Sequence, residues 1–176
     1  DTSDDAMVTD LYAHSGTNSV EVEDVSDVLQ VFEGIDSDIW EIVAWSYTPS
    51  GYSGASRFIV LSYYESYGMS HCYLVIDSST GTIYDQTSSY ASSIAYDEWV
   101  EIHIVVDLNM GTYTSYYDGT ELRSGPWGYD GIAAIELDHA AFGRECQAPD
   151  LIDQFDSVER EVFGVVAEQP AEFEFD

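Results

Sequence analysis

The chain has 176 residues, of which 34 are aspartate or glutamate and only four are basic, so its formal net charge at pH 7 is -30. All four basic residues are arginines (Arg57, Arg123, Arg144, Arg160), and the acids are dispersed along the whole chain. Such a surface repels nucleic acid and anionic membranes and gives no electrostatic help with anionic polysaccharides. No apolar run approaches the eighteen or so residues that a membrane helix needs, which excludes membrane insertion of that kind.

Taken in chain order, the predicted elements are almost all strands. His14 to Val22 reads as an opening strand, and Trp40 to Tyr47 as a second, with Glu41, Val43, Trp45 and Tyr47 on one face. Phe58–Tyr64 is a third, and Ser70–Asp77 (S-H-C-Y-L-V-I-D) a fourth, with His71 and Tyr73 on one side. The strongest pattern runs from Tyr96 to Gly119. Val100, Ile102, Ile104, Val106 and Leu108 alternate with Glu101, His103, Val105 and Asp107, the period of two expected of a strand with one face in a core. Asn109-Met110-Gly111 supplies a turn, Thr112 to Tyr117 a returning strand rich in Thr and Tyr, and Asp118-Gly119 a second tight turn. Ile132 to Leu137 and Leu151 to Glu159 complete the set, and a short helix fits at Asp138–Arg144. Short strands at intervals of roughly ten residues predict an all-β sandwich or barrel of one domain. The core is expected over about 12–160, with an acidic C-terminal extension at 161–176. The chain opens at Asp1 with neither methionine nor a signal sequence, so a processed mature form or an excised piece is expected.

The tryptophan-led strand, the D-L-x-x-G-T-Y hairpin at Asp107–Tyr113 and the Y-x-D-G turn at Tyr116–Gly119 resemble the laminin-G-like branch of the concanavalin A-like lectin/glucanase superfamily. The resemblance implies a two-sheet antiparallel jelly-roll β-sandwich that handles glycans or cell surfaces, extracellularly, with or without catalysis. Laminarinase-type members carry an E-x-D-x-x-E or E-x-D-x-E strand, of which this chain has no convincing copy. Glu101-Ile102-His103 stands where lyase-type jelly rolls carry a glutamine-isoleucine-histidine strand. The resulting expectation is a secreted, non-catalytic glycan-binding or cell-surface module. The alternatives are a self-assembling subunit of a surface layer or filament and a polysaccharide-degrading glycosidase or lyase.

Candidate binding residues follow from where aromatics fall. Fourteen tyrosines and four tryptophans exceed what a core of this size requires. Trp127 follows Gly125-Pro126 and precedes Gly128, so it and Tyr129 belong to a loop, where an aromatic is harder to explain as packing. The competing reading is that Trp127 folds back to plug the end of the sandwich. Tyr63 and Tyr64 must face opposite sides of their strand, so at least one of them lies outside the core. Glu101 and His103 share a face, and together with Glu41, His71 and Tyr73 they would line a polar cleft if their strands lie in one sheet. Trp40 and Trp99, at the starts of alternating strands, are expected in the core.

Calcium is the expected inorganic partner, because laminin-G-like domains hold it with carboxylates and carbonyls. Asp150, Asp153 and Asp156 are one candidate set; Glu33, Asp36 and Asp38 are another. Cys72 and Cys146 allow a single disulfide, which would close a loop of 74 positions and stabilise by about 4 kcal/mol; two unpaired core thiols are the alternative. The dispersed acidity predicts a halophilic or marine extracellular origin, or a divalent-cation-rich surface layer. Phe173 and Phe175 alternate with acids in the C-terminal run, a strand with one apolar face that would pair with its own sheet or with a neighbouring copy, giving a homo-oligomer or polymer.

Overall fold

The computed structural model describes residues 6–22, 27–63, 69–128, 131–140, 150–153 and 166–168, the last two segments and positions 27, 63, 69–71 and 138–140 as backbone alone. Two antiparallel sheets face each other. The larger contains β1 (Met7–Thr9), β2 (Ser19–Val22), β4 (Ile39–Tyr47), β9 (Trp99–Asp107), β10 (Thr112–Tyr117), β11 (Thr120–Pro126), β13 (Asp150–Asp153) and β14 (Val166–Glu168). Its order is β1-β2-β13-β4-β9-β10-β11, with β14 also paired to β4. The smaller contains β3 (Asp27–Val31), β5 (Ala55–Tyr63), β6 (Met69–Asp77), β7 (Thr82–Asp85), β8 (Ala91–Ser93) and β12 (Ala134–Ala140), in the order β3-β12-β5-β6-β7-β8. No helix occurs among the described residues. β12 runs as a strand through Ala140, where a helix from Asp138 had been the expectation: its pairing with β5 extends to Ala140 opposite Ala55, so ladder partners override the weak helical pattern.

The core forms where the inward sides of the two sheets meet. Ile42 and Ala44 of β4 and Val100, Ile102, Ile104 and Val106 of β9 face Phe58, Val60, Leu74, Ile76 and Ile83 of the smaller sheet. The alternation read from Val100 to Val106 therefore sets which side is buried. At the hairpin Asp118 (φ 49) and Gly119 (φ 66) are both left-handed, the geometry that a two-residue turn between twisted strands demands.

Trp127 is completely buried, against Tyr113 at 6.0 Å edge to face. Its backbone N–H donates to Gly111 O at 2.7 Å and its indole Nε1 to Gly131 O at 3.0 Å. Gly131 sits at φ +91, and a Cβ there would meet Ile35 O at 2.4 Å, so only glycine lets the loop pass this close. Trp127 therefore plugs the sandwich and presents no surface to a ligand.

A second buried arrangement ties the sheets together. Asp85, at the end of β7, is fully buried, and its carboxylate accepts from Tyr113 Oη (2.7 Å), Thr87 N (2.9 Å) and Thr87 Oγ1 (2.6 Å). Arg123 of β11 places Nε 3.9 Å from Asp85 Oδ1 and donates from Nη1 to Thr87 O at 2.8 Å. Cys72 is a free, fully buried thiol beside this cluster. Burial first, and then the charge of Asp85, push that thiol well above its ordinary value. The expected partner, Cys146, lies outside the described residues.

Candidate functional site: an aromatic face on the larger sheet

The outward sides of β4, β9 and β10 carry the chemistry. Alternation turns Glu41, Val43, Trp45 and Tyr47 outward on β4, Trp99, Glu101, His103 and Val105 on β9, and Thr114 and Tyr116 on β10. Strand register then sets the neighbours. Trp45 lies opposite Glu101 and Tyr47 opposite Trp99, while His103 lies between Val43 and Tyr116. All of these side chains are part-exposed. Trp99, expected in the core, is instead on this outer face, because the buried phase of β9 begins at Val100. Trp40 is half-buried against the core, its indole donating to Ser37 O at 2.7 Å.

The segment between β1 and β2 crosses the same face and adds two rings. His14 stacks on Trp45 with centroids 3.9 Å apart at 14°, and Tyr12 stacks on Tyr47 at 4.7 Å and 27°. The Tyr12 carbonyl accepts from Ser19 Oγ at 2.7 Å, which anchors the segment to the start of β2. Trp99 meets its neighbours only obliquely, at 5.4 Å and 52° to Tyr47 and 6.0 Å and 67° to His14. Among the described rings none lies flat on it. Farther along, His103 stacks on Tyr116 at 5.6 Å, with Nε2 3.4 Å from Glu41 Oε2. At the Trp99 end, hydrogen bonds from Ser50 hold the Asp97 carboxyl below its usual range. Desolvation, then Asp97, then Tyr12 push the Tyr47 phenol up. The face is thus a strip of rings edged by carboxylates.

No guanidinium reaches it among the described residues. Arg57 lies on the smaller sheet, 5.9 Å over the Tyr73 ring, and Arg123 turns in toward Asp85. The expected cleft of Glu41, Glu101, His103, His71 and Tyr73 is therefore divided. The first three share the larger sheet, while β6 carries the other two in the smaller one. Tyr73 packs there against a separate apolar cluster of Ile59, Leu61 and Ala134. The His71 and Tyr63 side chains, Tyr129 and Asp156 lie outside the described residues, as do the side chains of Asp150 and Asp153. Among the described residues, no group of three His, Cys, Asp or Glu side chains gathers to hold a metal ion, so Glu33, Asp36 and Asp38 do not form the expected calcium set.

The sequence groups Glu41, Glu101 and His103 correctly, and sets Trp45 and Tyr47 on the Glu41 face of β4, but it does not join these rings to Tyr12, His14, Trp99 or Tyr116 in one site. Tyr116 was accessible from the hairpin register; the two rings from the crossing segment left no periodic signal.

No family model matches the chain, and no curated protein sequence does. Among solved structures it is similar to a sialidase, with TM-score 0.57 and 11% identity over 88% of this chain, and it spans 14% of that protein's length. It is similar to the carbohydrate binding module CBM66 from Bacillus subtilis, with TM-score 0.51 and 9% identity over 85% of this chain and 89% of that one. It is also similar to the carbohydrate recognition domain of Emp47p, with TM-score 0.52 and 13% identity over 84% of this chain and 85% of that one. These likenesses show the fold: an all-β, two-sheet jelly-roll sandwich.

Proposed function

We propose that the protein is a non-catalytic glycan-binding module, acting outside the cell, that takes its ligand on the outward face of β4, β9 and β10. The observation that carries this reading is the strip of part-exposed rings beside Glu101. Flat aromatic faces suit the apolar faces of pyranose rings, and neighbouring carboxylates accept from sugar hydroxyls. The likeness to a carbohydrate binding module and a carbohydrate recognition domain supports the same reading at the level of fold. Trp99 is the anchor, because its face is free of other rings. Trp99→Ala should weaken binding to the best saccharide of a glycan array by about tenfold or more, as loss of a central aromatic anchor does, with an unchanged circular-dichroism spectrum. Full retention of affinity in a folded variant overturns the assignment.

A second reading has its own observation. β1 is the terminal strand of the larger sheet, and Met7 and Val8 on it are 54% and 62% exposed. An exposed apolar edge strand is a template for pairing with another chain, which fits a self-assembling surface subunit. Light scattering across a concentration series in molar salt tests it; a monomer throughout rules it out.

A further inference from the structure

We infer, resting on the glycan-binding reading, that the face selects saccharides bearing free amines over neutral ones and excludes anionic ones. The argument begins with what surrounds Trp99. Glu101 lies two residues along β9 on the same side and is directly opposite Trp45. At the same end of β9 the Asp97 carboxylate accepts from Ser50 N at 2.9 Å, and its charge acts on Tyr47 of this face. A saccharide lying on Trp99 is thus set beside the Glu101 carboxylate.

That combination matches a cation. An ammonium over or beside an indole is attracted by the negative ring face, and a carboxylate within reach adds a charge-assisted hydrogen bond. The same site is hostile to a uronate or sulfate. Lysine does not occur in the chain, and the two described arginines are committed elsewhere, Arg57 on the other sheet and Arg123 at Asp85. An anion would meet Glu101 and Asp97 with no arginine among the described residues on this face to oppose them, inside the field of a chain of formal charge -30. A neutral sugar keeps the stacking contact but leaves the carboxylate without a charged partner. A hexosamine polymer satisfies both parts.

A strongly acidic protein attracts any polycation, so the experiment must separate the site from the diffuse field. Affinities are measured at physiological salt, where screening over about 8 Å removes most long-range attraction. Four probes are compared: a chitosan hexamer with its amines protonated, its fully N-acetylated counterpart, cellohexaose and a hexagalacturonate. Wild type should bind the chitosan hexamer about tenfold more tightly than the N-acetylated one and the hexagalacturonate not at all. Glu101→Gln should reduce that preference to near unity. Trp99→Ala, whose net charge equals that of wild type, should weaken both chitosan and chitin hexamers.

Equal affinity for the amine and N-acetyl hexamers overturns the inference and leaves glycan binding standing. Chitosan binding that Trp99→Ala does not change is diffuse attraction and also overturns it. Failure of all four probes overturns the glycan-binding reading, and this inference with it.

Discussion

Two groups of polar side chains, each with a carboxylate and a tyrosine, belong to this sandwich, and they differ in burial. The inner one, Asp85 with Tyr113, Thr87 and Arg123, sits between the sheets, and its carboxylate is fully buried with three short hydrogen bonds. The outer one, Glu41, Glu101, His103 and Tyr116, lies half-exposed on the larger sheet. Its closest charged contact is a 3.4 Å approach of His103 to Glu41. A buried charge survives only if its surroundings satisfy it, so the inner group is consumed in holding the sheets together. The outer group is part-exposed, so its carboxylates can exchange water for a ligand. Among acidic residues this numerous, burial and saturation of hydrogen bonds separate the structural from the available; residue type does not.

The largest expected effect comes from breaking the inner group. Asp85→Ala strands the Tyr113 hydroxyl, the Thr87 amide and the Arg123 guanidinium, and should cost about 3–5 kcal/mol in chemical denaturation. A loss below about 1 kcal/mol would erase the contrast between the two groups.

A smaller effect follows from pH. Burial, and then the neighbouring Asp85, push the Cys72 thiol up. Burial first, and then the hydrogen bond to Asp85, raise the Tyr113 phenol, and Tyr117 is raised by burial as well. These folded values exceed the unfolded ones, so the stability they contribute is complete below the unfolded thiol value of about 8.5 and is lost as pH climbs toward the folded values. Under reducing conditions stability should fall above about pH 8.5, by up to about 1.4 kcal/mol per pH unit for each group, and more steeply once the tyrosines of the unfolded chain ionise near 10. Cys72→Ala should remove the first part of that decline. An identical alkaline limb in the variant would show that the thiol does not titrate between the two states.

The sequence makes the two faces of β9 legible and leaves their occupants less so. Strict alternation from Val100 to Val106 placed Ile102 and Ile104 inward and Glu101 and His103 outward, because a period of two leaves no third choice. The same alternation does not say which sheet β6 joins, since strand order depends on crossovers between distant segments; His71 and Tyr73 are therefore grouped by the sequence with strands of the other sheet. Trp127 shows the opposite limit. Its glycine- and proline-flanked position marks a loop, but the turn of Gly131 at φ +91 over Ile35 O, which carries it inward, has no local signature beyond the glycine itself. The Asp85 group was invisible for a related reason. Its members come from β7, the turn after it, β10 and β11, and nothing in a charge of -30 marks one aspartate as the buried one.

The smallest expected effect is the most discriminating for the outer group. The Glu41 side chain is 46% exposed and that of His103 28%, so their pairing is worth little against solvent screening and the entropy of holding the side chain. Glu41→Gln also removes one negative charge from a chain that repels itself. The two consequences oppose each other at low ionic strength, and the net change in stability should stay below about 1 kcal/mol. Raising NaCl to about 1 M shortens the screening length to about 3 Å, which should raise the melting temperature of wild type and variant alike and bring them together. Thermal unfolding of both proteins across that salt series checks it. A Glu41→Gln deficit of several kcal/mol that persists in molar salt would mean that the outer pair, like Asp85, is part of the frame and is not free to meet a ligand.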